Sequence, residues 1–402
     1  MSGPVNNPFS SRKKALAFNI QTAPGTPIVL TSADAIDVGN CSYSPKSRTS
    51  EDPRYTGTVH RPGDILAGVS WDVTFEWLIH GFSGALPAAD AFLPGRVLKA
   101  VGFTEQRLAA AVGPEAYSSG TTTAATLGAS ASSTANFYKG MAVNFAPIGA
   151  APLGLAMIRD YTTGKVATLA RTRTLAGTGN YTIPPQLAYT LSTTEPANPA
   201  SITVWEGDNG GSGRRMNFVD MRPTAFTIEM VTSSRDNSGS YCKITATFSG
   251  DLGSEAVEAP PAFSNNIAIP PFLNGQQDIA NTQLGGASVT IDLGIGSGYP
   301  PNPNQSGGFD PGLVTVTKRK VSYTLNMVRQ SVIDFNALAA AQAQWPSQFL
   351  WGLATGNYMG LMIDQQRFDY RTPAEGQDFI TTTGDAWIDG VDRAIALAFI
   401  GY

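Results

Sequence analysis

Two histidines, two cysteines and one loose set of aspartates are the side chains from which a catalytic or metal site would have to be built. His60 and His80 are the only histidines in 402 residues. A Ser-His-Asp triad or a His-based metal site would have to use one of them. His80 closes an alternating stretch at His80-Gly81 and reads as an exposed strand-end residue. His60 sits among Arg54, Arg61 and Asp64 and reads as a solvated loop residue or an inter-subunit contact. Cys41 and Cys242 are far apart in the chain and match no metal or redox spacing. They read as free buried thiols, compatible with a reducing compartment. Asp385, Asp389 and Asp392 lack the frame of a calcium loop and read as exposed turn and strand carboxylates.

Glycine patterns add no chemistry. No G-x-S-x-G or P-loop spacing occurs. The run Gly207-Asp208-Asn209-Gly210-Gly211-Ser212-Gly213 lacks a following Lys-Ser/Thr and a helix. It reads as a hairpin turn between Ile202–Trp205 and Met216–Met221. Gly294-Ile295-Gly296-Ser297-Gly298 does not fit a dinucleotide fingerprint, and no motif singles out a carboxylate pair for glycoside hydrolysis. The expectation is a protein that is not an enzyme and uses no metal and no cofactor.

The elements that carry these residues read as strands. Charged residues make up 14% of the chain, against about 25% in an ordinary soluble domain. Hydrophobic residues make up 42%, enough for a large core. Low charge with normal hydrophobicity suits a surface largely covered by partners. The net charge of −4 carries none of the basic excess that phosphate binding needs. After Lys13-Lys14, the apolar run Ala15–Phe18 is too short for a signal segment, and no run is long enough for a membrane helix. The 42 glycines and 27 prolines are spread along the chain with abundant Thr, Ser, Val and Ile, which is turn-and-strand composition.

The clearest strand is Val69–Ile79. There Val69, Trp71, Val73, Phe75, Trp77 and Ile79 alternate with Ser70, Asp72, Thr74, Glu76 and Leu78. Period two puts the large apolar groups on one face. Val321, Tyr323, Leu325 and Met327 alternate in the same way with Ser322, Thr324 and Asn326. These stretches occupy equivalent places in an internal repeat. Ile36-Asp37-Val38-Gly39 recurs as Ile291-Asp292-Leu293-Gly294, and Asp72–Trp77 aligns with Ser322–Met327. Each long strand is followed by a helix candidate, Ala88–Val101 and Ile333–Trp351, interrupted by Pro94 and Pro346. Each half then closes in strands, Lys243–Gly250 and Ala394–Gly401.

Between the first helix and Trp205 lies an extra stretch. A Ser/Thr/Ala-rich linker at 118–135 leads to short strand candidates at Gly140–Phe145, Leu155–Tyr161, Val166–Arg171 and Tyr181–Ile183. It reads as a small β module inserted in a surface loop, where insertion costs least. The expected division is a first lobe of 1–117 plus 204–255, the inserted module at 118–203, and a second lobe of 256–402. Two long irregular loops also correspond. One is Tyr43–Gly63, with Lys46, Arg48, Glu51, Asp52, Arg54, His60 and Arg61. The other is Gly294–Gly312, rich in Pro, Asn and Gly.

Several stretches resemble the tail-tube proteins of siphophages. They are Thr22–Pro27 with Ala33–Val38; Gly63–Trp77 with Gly81 and Leu98–Phe103; Ser201–Trp205 through Phe248; and, for two-lobed members, the second half with Trp351–Gly356. The insert, with Ala129–Ser132, Tyr138–Met141 and Asp160–Ala167, is similar to a module recurrent in phage virion proteins. The resemblance implies a mainly β fold: a duplicated β-sandwich or open barrel with a flanking helix in each lobe, plus the inserted β domain. It implies a structural protein of the virion tail, assembled in the host cytoplasm into stacked rings. DNA would leave the capsid through their lumen without specific binding.

The expected partners are further copies of the chain, the tail terminator, the tail tip and the tape measure protein, with no membrane. Two lobes per subunit would make trimeric rings with pseudo-sixfold symmetry; hexameric rings are the alternative. The strands bearing Trp71, Phe75, Trp77, Val321, Tyr323 and Leu325 are expected in the tube wall. The two loops are expected to reach the next ring, and removing 120–200 is expected to spare assembly. The rival reading is a phage-associated or secreted β-rich surface-binding protein or adhesin.

Overall fold

A computed structural model of the chain describes residues 9–50, 65–82, 85–146, 154–171, 175, 177, 179–208, 212–231, 241–262, 269–270, 272, 275–283, 286–298, 315–319, 321–328, 334–353, 357–374, 377–384, 387–388, 391–392 and 395–401. The protein is mainly β. The chain opens with β1 (Phe9–Ile20), β2 (Ala35–Ile36), β3 (Asn40–Ser50), β4 (Ile65–Leu78), α1 (Leu93–Val101) and β5 (Phe103–Leu108). Seven short strands follow: β6 (Val112–Tyr117), β7 (Ser119–Gly120), β8 (Ala124–Thr126), β9 (Ala142–Phe145), β10 (Leu155–Tyr161), β11 (Val166–Leu169) and β12 (Gly179–Ile183). Then come β13 (Gln186–Leu191), β14 (Ala200–Asp208), β15 (Gly213–Val231) and β16 (Tyr241–Val257). Next are β17 (Gln276–Ile279), β18 (Thr282–Gln283), β19 (Gly286–Asp292), β20 (Ile295–Gly298), β21 (Thr315–Arg319), β22 (Ser322–Val328) and α2 (Phe335–Ala341). The chain closes with β23 (Trp345–Leu353), β24 (Asn357–Phe368), β25 (Thr372–Ala374), β26 (Gln377–Gly384), β27 (Trp387–Ile388), β28 (Val391–Asp392) and β29 (Ile395–Ile400).

Antiparallel pairing joins most of these strands into one 18-stranded sheet. One run of it reads β3–β4–β16–β15–β19–β22–β26. A second run reads β5–β13–β29–β24–β23–β17. The sheet passes from one run to the other through the end of β24, where Gln366–Phe368 pair with β26. The N-terminal half of β15 continues into β14, β1 and β2.

The main core lies between the two runs. Val73, Phe75, Trp77, Phe226, Phe248, Tyr323 and Leu325 from the first meet Tyr189, Leu361, Trp351 and Phe399 from the second. Alternation in β4 and β22 therefore reports one buried face. Ile395–Ile400 reads instead as an unbroken apolar run and is buried at every residue. Ile395, Leu397 and Phe399 enter the main core, and Ala396, Ala398 and Ile400 enter a second cluster on the other face. A strand covered on both sides has no reason to alternate.

The helices are shorter than expected. α1 begins at Leu93, with Pro94 in its first turn, where the missing N–H costs nothing. It ends at Gly102, whose φ of 111° lets its N–H reach Leu98 O at 3.1 Å. α2 starts from Asp334, which accepts from Asn336 N at 3.0 Å and Ala337 N at 3.2 Å, and ends at Ala341. The expectation of helix to Trp351 is overturned: Trp345–Leu353 is strand β23, paired on both sides. Pro346 forbids the helical hydrogen bond, and Phe349 and Trp351 face the core as strand residues do.

Two further readings change. The stretch from Tyr43 is not irregular, because Asn40–Ser50 pairs with β4 along its length. The repeated strings do not hold equivalent places in the ladder: Ile36 pairs with Leu16, while Ile291 lies between Ile228 and Tyr323.

The smaller sheet has seven strands in the order β6–β12–β9–β10–β11–β8–β7, drawn from Val112–Ile183. Its own core holds Tyr117, Tyr138, Phe145, Ile158 and Tyr181. β13 lies inside the span expected for the module, yet it is a central strand of the larger sheet between β5 and β29. Removing 120–200 would therefore break that sheet.

Candidate functional site

The tube-wall candidates lie in one core. Phe75, Trp77, Val321, Tyr323 and Leu325 are buried there, with Val321 just before β22. Trp71 is half-buried at its margin in a triangle with Tyr43 and Phe218, with centroids 6.2 Å, 5.9 Å and 5.9 Å apart. The loop candidates divide. Lys46 stands on β3 opposite Ser70 and forms an ion pair with Asp72. Arg48 stands on β3 opposite Gly68. Glu51, Asp52, Arg54, His60 and Arg61 lie outside the described residues, as do Asp385 and Asp389.

Opposite the core face, the first run presents polar residues in rows, two of which cross both halves of the chain. One row is Ser42–Thr74–Thr247, with the two threonine hydroxyls 2.9 Å apart. The next is Glu76–Thr245–Thr227–Asp292–Ser322. A third is Lys243–Glu229–Thr290–Thr324. The rows pass from β15 to β19 without a break. Lys243 Nζ lies 3.3 Å from both Glu76 and Glu229. Burial works against its charge, but the two carboxylates, Glu229 foremost, outweigh it and hold Lys243 above the ordinary lysine range. With one lysine between two glutamates and Asp292 beside them, negative charge prevails on these rows.

Among the described residues one end of this run is open, and the other joins the second run. Among the described residues β3 pairs with β4 alone, and Pro45 has no N–H to offer on its free side. At the other end β26 is covered by β24 over Gln366–Phe368 and by the short β25, which contains Pro373, and Tyr370 just before β25 is 68% exposed. β3 is held from inside. Lys14 and Glu206, opposite each other on β1 and β14, form an ion pair of 2.7 Å. Tyr43 Oη donates to Glu206 at 2.6 Å, and Lys14 Nζ donates to Cys41 O at 3.3 Å. Burial raises the Glu206 carboxyl, but bonds from Lys14 and Tyr43 overcome it and leave the group below the ordinary glutamate range. Burial first, then Glu206, pushes the Tyr43 phenol up.

The sequence reading missed this brace. Its signal was a charged residue at the end of each of two apolar strands, Lys14 before Ala15–Phe18 and Glu206 after Ile202–Trp205.

His80 is not an exposed strand-end residue. It is 4% exposed, with Nδ1 2.8 Å from Gly81 O and its ring edge-on to Trp77. Burial, the largest influence, lowers its pKa. Cys41 and Cys242 are free and buried; burial pushes the Cys41 thiol up to about 12, which makes it inert. Among the described residues no group of three His, Cys, Asp or Glu side chains is placed to hold a metal, and no helix is long and apolar enough to cross a membrane. Neither the protein-family models nor the curated proteins compared with the chain match it.

Proposed function

We propose that the protein is the major tail-tube subunit of a long-tailed bacteriophage, and that three copies close each ring of a stacked tube. One observation carries this reading: both halves feed one sheet with a core-facing apolar side, a threonine-rich, carboxylate-weighted polar side and, among the described residues, an edge strand, β3, paired on one side only. A free edge strand invites pairing with further copies, and closure into a ring removes such edges. The polar rows then line the lumen. Fixed carboxylates repel DNA phosphates, and the lysines of this face, Lys46 and Lys243, are held by Asp72, Glu76 and Glu229.

An antiparallel strand pair, a helix and a strand follow one another as β3–β4–α1–β5 and again as β19–β22–α2–β23, the second with β20 and β21 set between its paired strands. This order supports a duplicated wall unit and hence pseudo-sixfold rings from three chains. Negative-stain microscopy of the purified protein tests the reading, with hollow tubes or annular rings expected. Native mass spectrometry then counts chains: three per ring is expected, and six would replace the trimer. A dispersed monomer at high concentration overturns the assignment.

A further inference from the structure

The seven-stranded sheet covers the face of β13–β29–β24–β23 that points away from the main core. Leu155 and Met157 pack in one cluster with Leu350, Met362, Ala398 and Ile400. Polar groups cross the same contact. Arg171 Nη1 donates to Leu155 O at 2.6 Å and to Gln276 Oε1 at 3.1 Å. Gln276 and Gln348 both donate to Asp278 Oδ2, at 2.5 Å and 2.8 Å, and Gln348 Oε1 accepts from Met157 N at 2.8 Å. A continuous buried circuit thus runs from the smaller sheet into the larger one and back. Beside it, the Gln186 amide accepts from Ala142 N at 2.8 Å and donates to Ala142 O at 2.9 Å. Arg159 binds Asp364 at 2.6 Å.

An apolar patch alone tolerates sliding. Buried amides and charges do not, because each loses far more by going unbonded than it gains by being paired. Arg171, Gln186, Gln276 and Gln348 are fully buried, so their bonds form in one relative orientation. The groups they join also come from both sides of a seam. Gln186 belongs to β13, from the first half of the chain, and Gln348 and Asp364 belong to β23 and β24, from the second. Among the described residues β13 pairs with the second half through β29 alone.

We propose that the seven-stranded sheet is a splint across the β13–β29 seam. It fixes the angle between the two halves of the chain and is not a detachable surface attachment. The proposal concerns the folded single chain and stands whether or not the protein forms tubes.

Hydrogen exchange read by mass spectrometry on the full chain tests it. Met157→Asp places a charge against Gly360 and the apolar cluster and should prise the splint away. Peptides over 186–191 and 395–400 should then exchange at least about ten-fold faster, while those over β4 and β16 keep their rates. Arg159→Ala, at the partly exposed rim, is the milder variant if the first does not fold, with a smaller change in the same peptides. A seam that keeps wild-type rates in a folded variant overturns the proposal.

Discussion

Trp77 and Phe399 stack across the core with centroids 6.3 Å apart and planes 29° from parallel, joining the long strand of the first half to the last strand of the second. Trp77 is 2% exposed. Trp77→Ala should therefore cost about 3–5 kcal/mol, the range for removing a large buried ring. A lowered denaturant midpoint with an unchanged slope would register it. A loss below about 1 kcal/mol would mean that the two halves do not share this core.

Gly95 sets two effects against each other. Alanine in a helix interior is favoured over glycine by about 0.8–1.0 kcal/mol. At this position, however, a Cβ would overlap the Tyr189 hydroxyl, which is held by Glu105 at 2.9 Å. Overpacking of this kind costs about 1–3 kcal/mol, so Gly95→Ala should lower the thermal midpoint. Adding Tyr189→Phe should recover part of the loss.

The polar rows can be given the opposite charge. Thr227→Lys with Thr324→Lys places two cations on the proposed lumen face without touching the core. Assembled wild-type tubes should not retain short duplex DNA at low salt, whereas variant tubes should, with binding that falls steeply as salt rises. Equal retention by both would remove these rows from the lumen.

Acid should act through Glu206. Its folded pKa lies below the ordinary range, so its stabilisation is present above the unfolded glutamate pKa and is lost as pH falls through the folded value. Glu206→Gln should be less stable than wild type at neutral pH, and the gap should close as the carboxylate titrates. Denaturant midpoints at a series of pH values measure this directly.

His80 should act at milder pH. Burial depresses its folded pKa, so the unfolded chain binds its proton first. Stability falls as pH drops from about 6.5, the ordinary histidine value. His80→Gln should flatten that part of the profile while leaving the Glu206 part in place.

Much of the sheet was legible in the sequence. Leu155–Tyr161 was read with its observed bounds, and Val69–Ile79 and Tyr181–Ile183 each lie within one residue or a few of a strand. The hairpin expected around Gly207–Gly213 appears as Gly207 opposite Gly213. Trp345–Leu353 was not legible, because an apolar strand buried on both faces has the same composition as a buried helix. The burial of His80 is not legible because it depends on what surrounds a strand end, here Trp77 edge-on to its ring and the start of β24 bonded to the neighbouring Gly81.

Composition and alternation by themselves determined a β protein, the apolar faces of β4 and β22, two free cysteines, and the lack of a recognisable catalytic pattern. Both are local properties, written in residue types and in a period of two. Only the tertiary structure decided that β13 bridges the two halves, that Lys14 and Glu206 brace an edge strand, and that four buried polar residues lock a second sheet in place. Those pairings join residues distant in sequence, so they depend on which strands become neighbours, and short-range spacing carries no record of that choice.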